Sequence, residues 1–353
     1  MSITVEKAKR TTSNKMQNLT SLSALQISRF FAEGYVIVQD VFDPVDLEPL
    51  RKSLHVAVAQ KIVELKAVGH LENAHEELGF DQQLAAIYRD SKKNGEAVLK
   101  YLEGLRGGGF HSREMFDLIA HPKLISAVRG LLGTTEVVAS SAYRIRPKLP
   151  KIGRGNIPWH QDSGYFAEHC DTEMIVTCWI PLVDATVENG CMQILPRMHK
   201  TSILPHHTGG NAGLLVIKEE DFPNDRCEAI TAACPRGGVV FMTNRTPHCS
   251  TPNTSEHIRW STDLRFQSAE VPSNREAQPQ SWDSSGKADS AFYKDIAVAC
   301  YPPEADFLVS SKQHPEKVVD YLAYVKRRED YDKATVSLKE KRTWPALAVN
   351  SDI

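Results

Sequence analysis

The sequence predicts a mostly β protein with flanking helices, its short strands arranged as a jelly-roll-like double sheet. Two observations carry this reading. From Glu136 to Phe266, short runs rich in β-branched and aromatic residues alternate with turn residues. Before Gly133 the apolar residues instead recur at helical spacing. A sheet with one apolar face needs such helices to cover it, so they are expected on the outside of one sheet.

The bulk properties narrow the options. The chain has 353 residues, with 41% hydrophobic and 24% charged. That suits one large globular domain or two smaller ones. A formal net charge of −2 gives no general attraction to nucleic acid or anionic membrane. Seven cysteines are scattered without a C-x-x-C pair. This argues for a reducing compartment and against a disulfide framework or a structural zinc site. No apolar run is long enough to span a bilayer. Met1 to Lys15 is polar and carries Glu6, unlike a secretory signal, and Ser351-Asp352-Ile353 is not a peroxisomal address. The expectation is a cytoplasmic protein with a small-molecule substrate and neither a nucleic-acid nor a membrane partner.

Taken in order, residues 1–20 read as a mobile tail and residues 21–133 as the helical part. Ser23-x-x-Gln26 fits a capping box opening a helix through Phe31. Tyr35-Val36-Ile37-Val38 is a β-prone run. Asp43-Pro44 starts a helix on which Leu47, Leu50, Leu54, Val58, Ile62 and Leu65 share a face. Further helices are expected near 72–88 and 95–105. Gly107-Gly108-Gly109 reads as a turn, since no strand precedes it and no Gly-Lys-Ser/Thr follows. One or two more helices fill Ser112–Leu132, with Pro122 at the join and Gly133 as the cap. Residues 134–270 form the jelly-roll core. Its strands are expected at Glu136–Arg146, Ile175–Ile180, Met192–Leu195, Gly213–Ile217, Gly238–Thr243 and Ile258–Phe266. Residues 271–353 form an extension packed on the core, turn-rich to about Lys287 and helical around Val318–Tyr324.

Chemistry concentrates in two stretches. Pro158-Trp159-His160-Gln161-Asp162 sets an imidazole and a carboxylate two residues apart, on one face of an extended segment. Thr246-Pro247-His248-Cys249-Ser250 adds a second histidine. Two neutral nitrogens and one anionic oxygen form the facial set that holds Fe(II) and leaves coordination positions open. A surface His-Asp pair with an unrelated core histidine is the plainer alternative. Cys249 would point away from His248 on an extended segment and is not a ligand.

Trp159-His160-Gln161-Asp162-x-Gly164-Tyr165 resembles the signature of the phytanoyl-CoA dioxygenase family of Fe(II)/2-oxoglutarate-dependent oxygenases. Trp179-Ile180-Pro181-Leu182, Glu188-Asn189-Gly190-Cys191-Met192 and Pro247-His248-x-Ser250 with Arg259 resemble its later motifs, in the family's order. The resemblance covers roughly residues 25–270. Pro196-Arg197-Met198-His199 departs from the family's Pro-Gly-Ser-His, outside the metal set. The resemblance implies a double-stranded β-helix, the cupin-like jelly roll, with iron on His160, Asp162 and His248. It gives Arg259 the distal carboxylate of 2-oxoglutarate, which a planar guanidinium matches bidentately. Ser250 shares parity with His248 and offers a hydroxyl to the same carboxylate. Trp179 corresponds to a residue beside the cosubstrate, with a plain core aromatic as the alternative. Asp162 is intact, which implies oxygenation rather than halogenation.

The substrate side is less determined. Arg144, Arg146, Lys148, Lys151 and Arg154 precede the metal motif without an intervening acid, and suit an anionic substrate or a solvated flap. Arg144 and Arg146 share parity; if they point outward, Tyr143 points inward to the substrate. Tyr165 and Phe166 would line the mouth. Arg265 and Asp263 share the face of Arg259, so Arg265 either pairs with Asp263 or meets the substrate. His169, His199, His206, His207 and His257 read as surface or satisfied residues.

The expected activity is hydroxylation of an unactivated C–H bond in a small, anionic organic molecule. The resemblance implies that Fe(II), 2-oxoglutarate and O2 take part, with release of succinate and CO2. Two alternatives stand beside it: a cupin-like hydrolase or isomerase without 2-oxoglutarate, and a non-catalytic binding protein on the same fold.

Overall fold

The N-terminal layer is built by local signals that the sequence spells out. Ser23 caps helix α1 (Ala24–Glu33): its hydroxyl accepts from the Gln26 N–H, and the Gln26 side chain accepts from the Ser23 N–H. Strand β1 (Tyr35–Val38) follows. A 3-10 turn, Pro44–Leu47, then leads into α2 (Glu48–Ala67), which buries Leu50, Leu54, Val58, Ile62 and Leu65. Helices α3 (Gln83–Asp90), α4 (Lys92–Gly104), α5 (Arg113–Ile119) and α6 (Pro122–Leu132) complete the layer. The helix expected from residue 72 begins only at Gln83. Side chains there take the backbone groups that a helix would use: His75 N–H donates to Asn73 Oδ1, and the Gln83 amide donates to Ala74 O.

In the computed structural model the described residues are 20–104, 112–140, 143–152, 155–166, 171–208, 214–269, 307–326 and 344–347. The readings of the tail up to residue 19, of Gly107-Gly108-Gly109, of Arg154, His169, Cys170 and Cys300, and of the turn-rich stretch to Lys287 lie outside them.

Nine further strands follow among the described residues. They are β2 (Val137–Ala139), β3 (Arg144–Lys148), β4 (Ile175–Pro181), β5 (Met192–Ile194), β6 (Ile230–Ala232), β7 (Val239–Thr243), β8 (His248–Ser250), β9 (Arg259–Ser268) and β10 (Phe307–Ser310). The major sheet runs β1-β7-β4-β9-β2-β10, with β3 also paired to β9, and the minor sheet runs β6-β5-β8. Every pairing is antiparallel. The strand expected over Glu136–Arg146 is divided, because β2 and β3 pair with different stretches of β9. Of the strand expected over Gly213–Ile217, the described residues from 214 on contribute an isolated bridge, His207 to Val216.

Two cores result. Between the helices and the major sheet lie Val36, Ile145, Val176, Ile180, Phe241, Trp260, Leu264 and Phe266 with the helical apolar faces. Between the two sheets lie Tyr35, Trp179, Met192, Ile194, Val240 and Met242. Period-two alternation assigns neighbouring residues of one strand to different cores. Strand β9 shows it best: Trp260, Leu264 and Phe266 enter the helical core, while Arg259, Asp263 and Arg265 face between the sheets.

The sheet also draws on both ends of the chain. Strand β1 pairs with β7, and β10 pairs with β2. Tyr324, on the helical turn at 321–326, is fully buried; its ring lies 5.2 Å from those of Phe116 and Phe307, and its hydroxyl 3.0 Å from that of Tyr143. Phe307, Val309, Val319 and Tyr324 of this stretch therefore belong to the helical core. Among the described residues, no helix is long and apolar enough to cross a membrane. Truncating Tyr324 to alanine should cost about 3 kcal/mol, the usual penalty for emptying a buried aromatic site. Urea unfolding measures it; an unchanged midpoint would show that Tyr324 does not dock there.

Candidate active site

Two histidines meet because two chain segments bridge. His160 N–H donates to His248 O at 3.1 Å, and His248 N–H donates to His160 O at 2.9 Å. Strand β8 thus holds one imidazole against the other, with ring centroids 4.2 Å apart. Each ring is turned by its own backbone. His160 Nδ1 lies 2.9 Å from Pro158 O, and His248 Nδ1 lies 3.0 Å from Thr246 O. Donation from Nδ1 to these carbonyls leaves both Nε2 lone pairs free to bind a cation. Asp162 begins a 3-10 turn, Asp162–Tyr165. The ligand atoms of His160, Asp162 and His248 all lie within 4.8 Å of one another, and no other such group occurs among the described residues.

Buried neighbours fix the protonation states. Thr177 donates to Asp162 Oδ2 at 2.5 Å, and Arg265 reaches the same oxygen from Nε at 3.1 Å and Oδ1 from Nη2 at 2.9 Å. Burial opposes the Asp162 charge, but Arg265 and the flanking histidines prevail and hold the carboxyl well below the usual carboxylate range. Burial, then the nearby His248, pushes His160 down to about 3. At neutral pH the cluster offers one carboxylate and an unprotonated His160, the forms that bind a metal. The residues present therefore fit Fe(II) by donor type as well as by position.

The other end of the pocket is basic. Arg259 is buried; its Nε donates to Gly190 O at 3.2 Å, its Nη1 to Ser261 Oγ at 2.6 Å, and its guanidinium lies 5.3 Å from the Trp179 ring centre. Burial, then Arg146, pushes Arg259 down to about 9. Lys148 pairs with Arg259 across β3 and β9 and is 2% exposed. Its Nζ donates to Ser250 Oγ at 2.8 Å. Burial, then Arg259, pushes this ammonium down to about 7. The pocket between the two ends encloses about 410 Å³ of empty space, open solvent at its mouth included.

The sequence-based set divides accordingly. His160, Asp162 and His248 converge, and Arg259, Ser250 and Trp179 gather beside them. Arg265 faces the same pocket but meets Asp162 and Asp263, the latter at 2.9 Å, so it is engaged by acids. Arg146 also enters the pocket, 2.5 Å from Asp263 Oδ1. That corrects the outward alternative for β3 and, with it, the inward Tyr143. Tyr143 is fully buried in the helical core because opposed residues share a face, and Arg146 opposes Ser261. Arg144 is half-buried, with Nη1 3.1 Å from Tyr143 O. Tyr165 keeps a place at the mouth: its ring is edge-on to His160 at 5.8 Å, and its hydroxyl accepts from Leu215 N–H.

Lys151 is exposed and pairs with Glu256, as a solvated flap would. Lys148 is the residue that the flap reading misses. Its parity with Arg146 was the available signal, but its burial depends on the pairing with β9. Thr177 was equally unmarked. His206 is satisfied, its Nε2 accepting from Gln161 N–H at 3.0 Å. Behind the metal turn, Trp344 Nε1 donates to Gly164 O at 2.8 Å, and its ring lies 5.0 Å from that of His206. Arg197 adopts φ +66, the left-handed backbone that glycine takes freely in the resembling motif, and Glu33 bonds both its backbone N–H and its guanidinium.

The sequence profile described as "Phytanoyl-CoA dioxygenase (PhyH)" matches residues 30–261, well over half the chain. The chain belongs to the phytanoyl-CoA dioxygenase family. It is 23% identical to "Phytanoyl-CoA dioxygenase domain-containing protein 1" of Danio rerio, over 74% of this chain and 94% of that protein. It is 21% identical to "Phytanoyl-CoA dioxygenase" of Arabidopsis thaliana, over 71% and 96% respectively. Among solved structures it resembles the non-haem alpha ketoglutarate dependent carbocyclase SnoK from nogalamycin biosynthesis, with TM-score 0.46, 19% identity and coverage of 70% and 85%. EctD from S. alaskensis gives TM-score 0.45 and 18% identity over 71% and 77%. The antiparallel double sheet is the double-stranded β-helix. As a member of this phytanoyl-CoA dioxygenase family, the protein is an Fe(II)/2-oxoglutarate-dependent oxidoreductase.

Lys148 gives this site a pH signature. A folded-state pKa near 7 lies below the unfolded value of about 10.4. Between these values the unfolded chain binds the extra proton, so the Lys148 contribution to stability rises with pH. Relative to K148M, the cofactor-free wild type should gain up to about 1.4 kcal/mol per pH unit between pH 7 and 8.5. Denaturant melts at several pH values give the difference, and parallel curves would contradict the buried ammonium.

Proposed function

We propose that the protein hydroxylates an unactivated C–H bond of a small anionic molecule, with His160, Asp162 and His248 holding the iron. In this reading Arg259 and Ser250 take the distal carboxylate of 2-oxoglutarate and Trp179 flanks them. The observation that carries the reading is the buried His-Asp-His cluster, whose two histidines share one pocket with the buried Arg259 and Ser250. Iron with 2-oxoglutarate and dioxygen supplies the oxidising power, leaving succinate and CO2. The protein's own task is to position and exclude. The Nδ1 bonds fix the imidazoles, Thr177 and Arg265 orient the Asp162 carboxylate, and the two sheets enclose the pocket between them.

Arg146 supports an anionic substrate. It lies on the pocket side of β3 with a side chain 31% exposed, at the metal end rather than the Arg259 end. Its pairing with Asp263 holds the guanidinium in place while leaving part of it open to solvent. Tyr165 stands on the other side of His160 as a second wall. A metalloenzyme working without 2-oxoglutarate would have no use for Arg259.

Purified protein with Fe(II) and 2-oxoglutarate should release succinate even without the true substrate, and a chelator should abolish release. Succinate is read by mass spectrometry. His160→Ala should lower turnover by more than about 100-fold, beyond what losing a supporting contact costs. Full turnover in H160A would sink the ligand assignment.

A further inference from the structure

Charge is distributed unevenly in the pocket. At the metal end each guanidinium has an acid: Arg146 pairs with Asp263, and Arg265 with Asp162 and Asp263. At the other end Arg259 and Ser250 line the pocket; Lys148, buried and paired with Arg259 across β3 and β9, reaches the Ser250 hydroxyl from behind, and among the described residues neither cation has a carboxylate partner. Buried cations without an acid are costly, so such an end is built to be completed by an anion.

The lysine is held in a made-to-measure sleeve. Gly190 sits at φ +86, and a Cβ there would fall 2.7 Å from Lys148 Cε and 2.8 Å from Cδ. A Cβ on Gly155 would fall 3.2 Å from Lys148 Cγ. The Asn253 amide pins the strand end by donating to Lys148 O at 2.9 Å. The same Gly190 carbonyl accepts from Arg259 Nε. One glycine turn therefore admits the stem of one cation and anchors the head of the other.

Ser250 sharpens the polarity. Its Oγ accepts from Lys148 Nζ at 2.8 Å and from the Ile157 N–H at 3.0 Å. A hydroxyl with both lone pairs engaged has only its proton left to give. Lysine, serine and arginine thus all present donors, and none presents an acceptor. A carboxylate, which only accepts, is their complement.

We propose that Lys148 is a cosubstrate-binding residue, its ammonium joining Arg259 and the Ser250 hydroxyl around the distal carboxylate of 2-oxoglutarate and setting the pocket's preference for a dicarboxylate. This rests on the 2-oxoglutarate reading of the site. The second cation distinguishes this pocket from one served by Arg259 and Ser250 alone. It also explains why a lysine is buried beside an arginine, an arrangement that lowers stability until the anion arrives.

The test is calorimetric titration of the anaerobic iron-loaded protein with 2-oxoglutarate and with 2-oxopentanoate, which has the same chain length but no distal carboxylate. Lys148→Met should weaken 2-oxoglutarate binding about 10- to 100-fold, as expected for loss of a charged hydrogen bond. It should leave 2-oxopentanoate binding and iron content unchanged. Lys148→Gln, which keeps a donor for Ser250 but not the charge, is the second variant should the first fold poorly. Equal weakening of both oxo acids would mean a structural role and overturn the proposal. So would unchanged 2-oxoglutarate binding in both variants while Arg259→Met loses it, an outcome that leaves the 2-oxoglutarate reading standing. If wild type binds no 2-oxoglutarate, or Arg259→Met is harmless, that reading fails first and the Lys148 assignment falls with it.

Discussion

The register of β9 is the constraint on which the molecule depends. This strand pairs with β2, β3 and β4, and its alternate residues serve two unrelated purposes. Trp260, Leu264 and Phe266 fill the core under the helices, while Arg259, Asp263 and Arg265 line the pocket. A slip of one residue would exchange the two sets, putting guanidinium groups into the apolar core and rings into the site. Stability and chemistry are thus locked to the same hydrogen-bond ladder. Trp260 reinforces it, stacking on Phe80 at 4.7 Å and donating from Nε1 to Phe80 O. The helical layer so holds the strand that places Arg259.

Around that strand the buried charges sort by partner. Asp162 and Asp263 gather Arg146 and Arg265 at the metal end, which leaves the far end positive. Such an arrangement is poor for folding and good for binding. Replacing buried ionic groups by apolar ones of similar volume commonly stabilises a protein. Their presence here is understandable as a cost of function, carried by the two large apolar cores.

Much of this was legible in the residues. The shared face of Arg259, Asp263 and Arg265 follows from period two, and it holds because β9 is long and regular. The His160–Asp162 spacing works because Gln161 between them is extended, although Asp162 already opens a 3-10 turn, and the capping box at Ser23 and the apolar stripe of α2 are local signals that tertiary context leaves alone. Other features depend on pairing. Tyr143 and Arg146 have opposite parity, but parity alone leaves open which of them points inward; the partner strand decides. Lys148 belongs to a run of basic residues that reads as a flap, yet its neighbour Lys151 is exposed while Lys148 is buried under Gly190. Strands β6 and β10 span only three and four residues, too short to carry a pattern of their own. They exist because a neighbouring edge offers them hydrogen bonds.

The contact between Trp344 and the turn at Gly164 bears on how the site is assembled. A chain is made from its N-terminus and folds as it emerges. His160 and Asp162 appear early, His248 and β9 later, and the indole that braces the metal turn comes later still. The turn that opens at Asp162 therefore gains its indole brace only after His248 and β9 have been made.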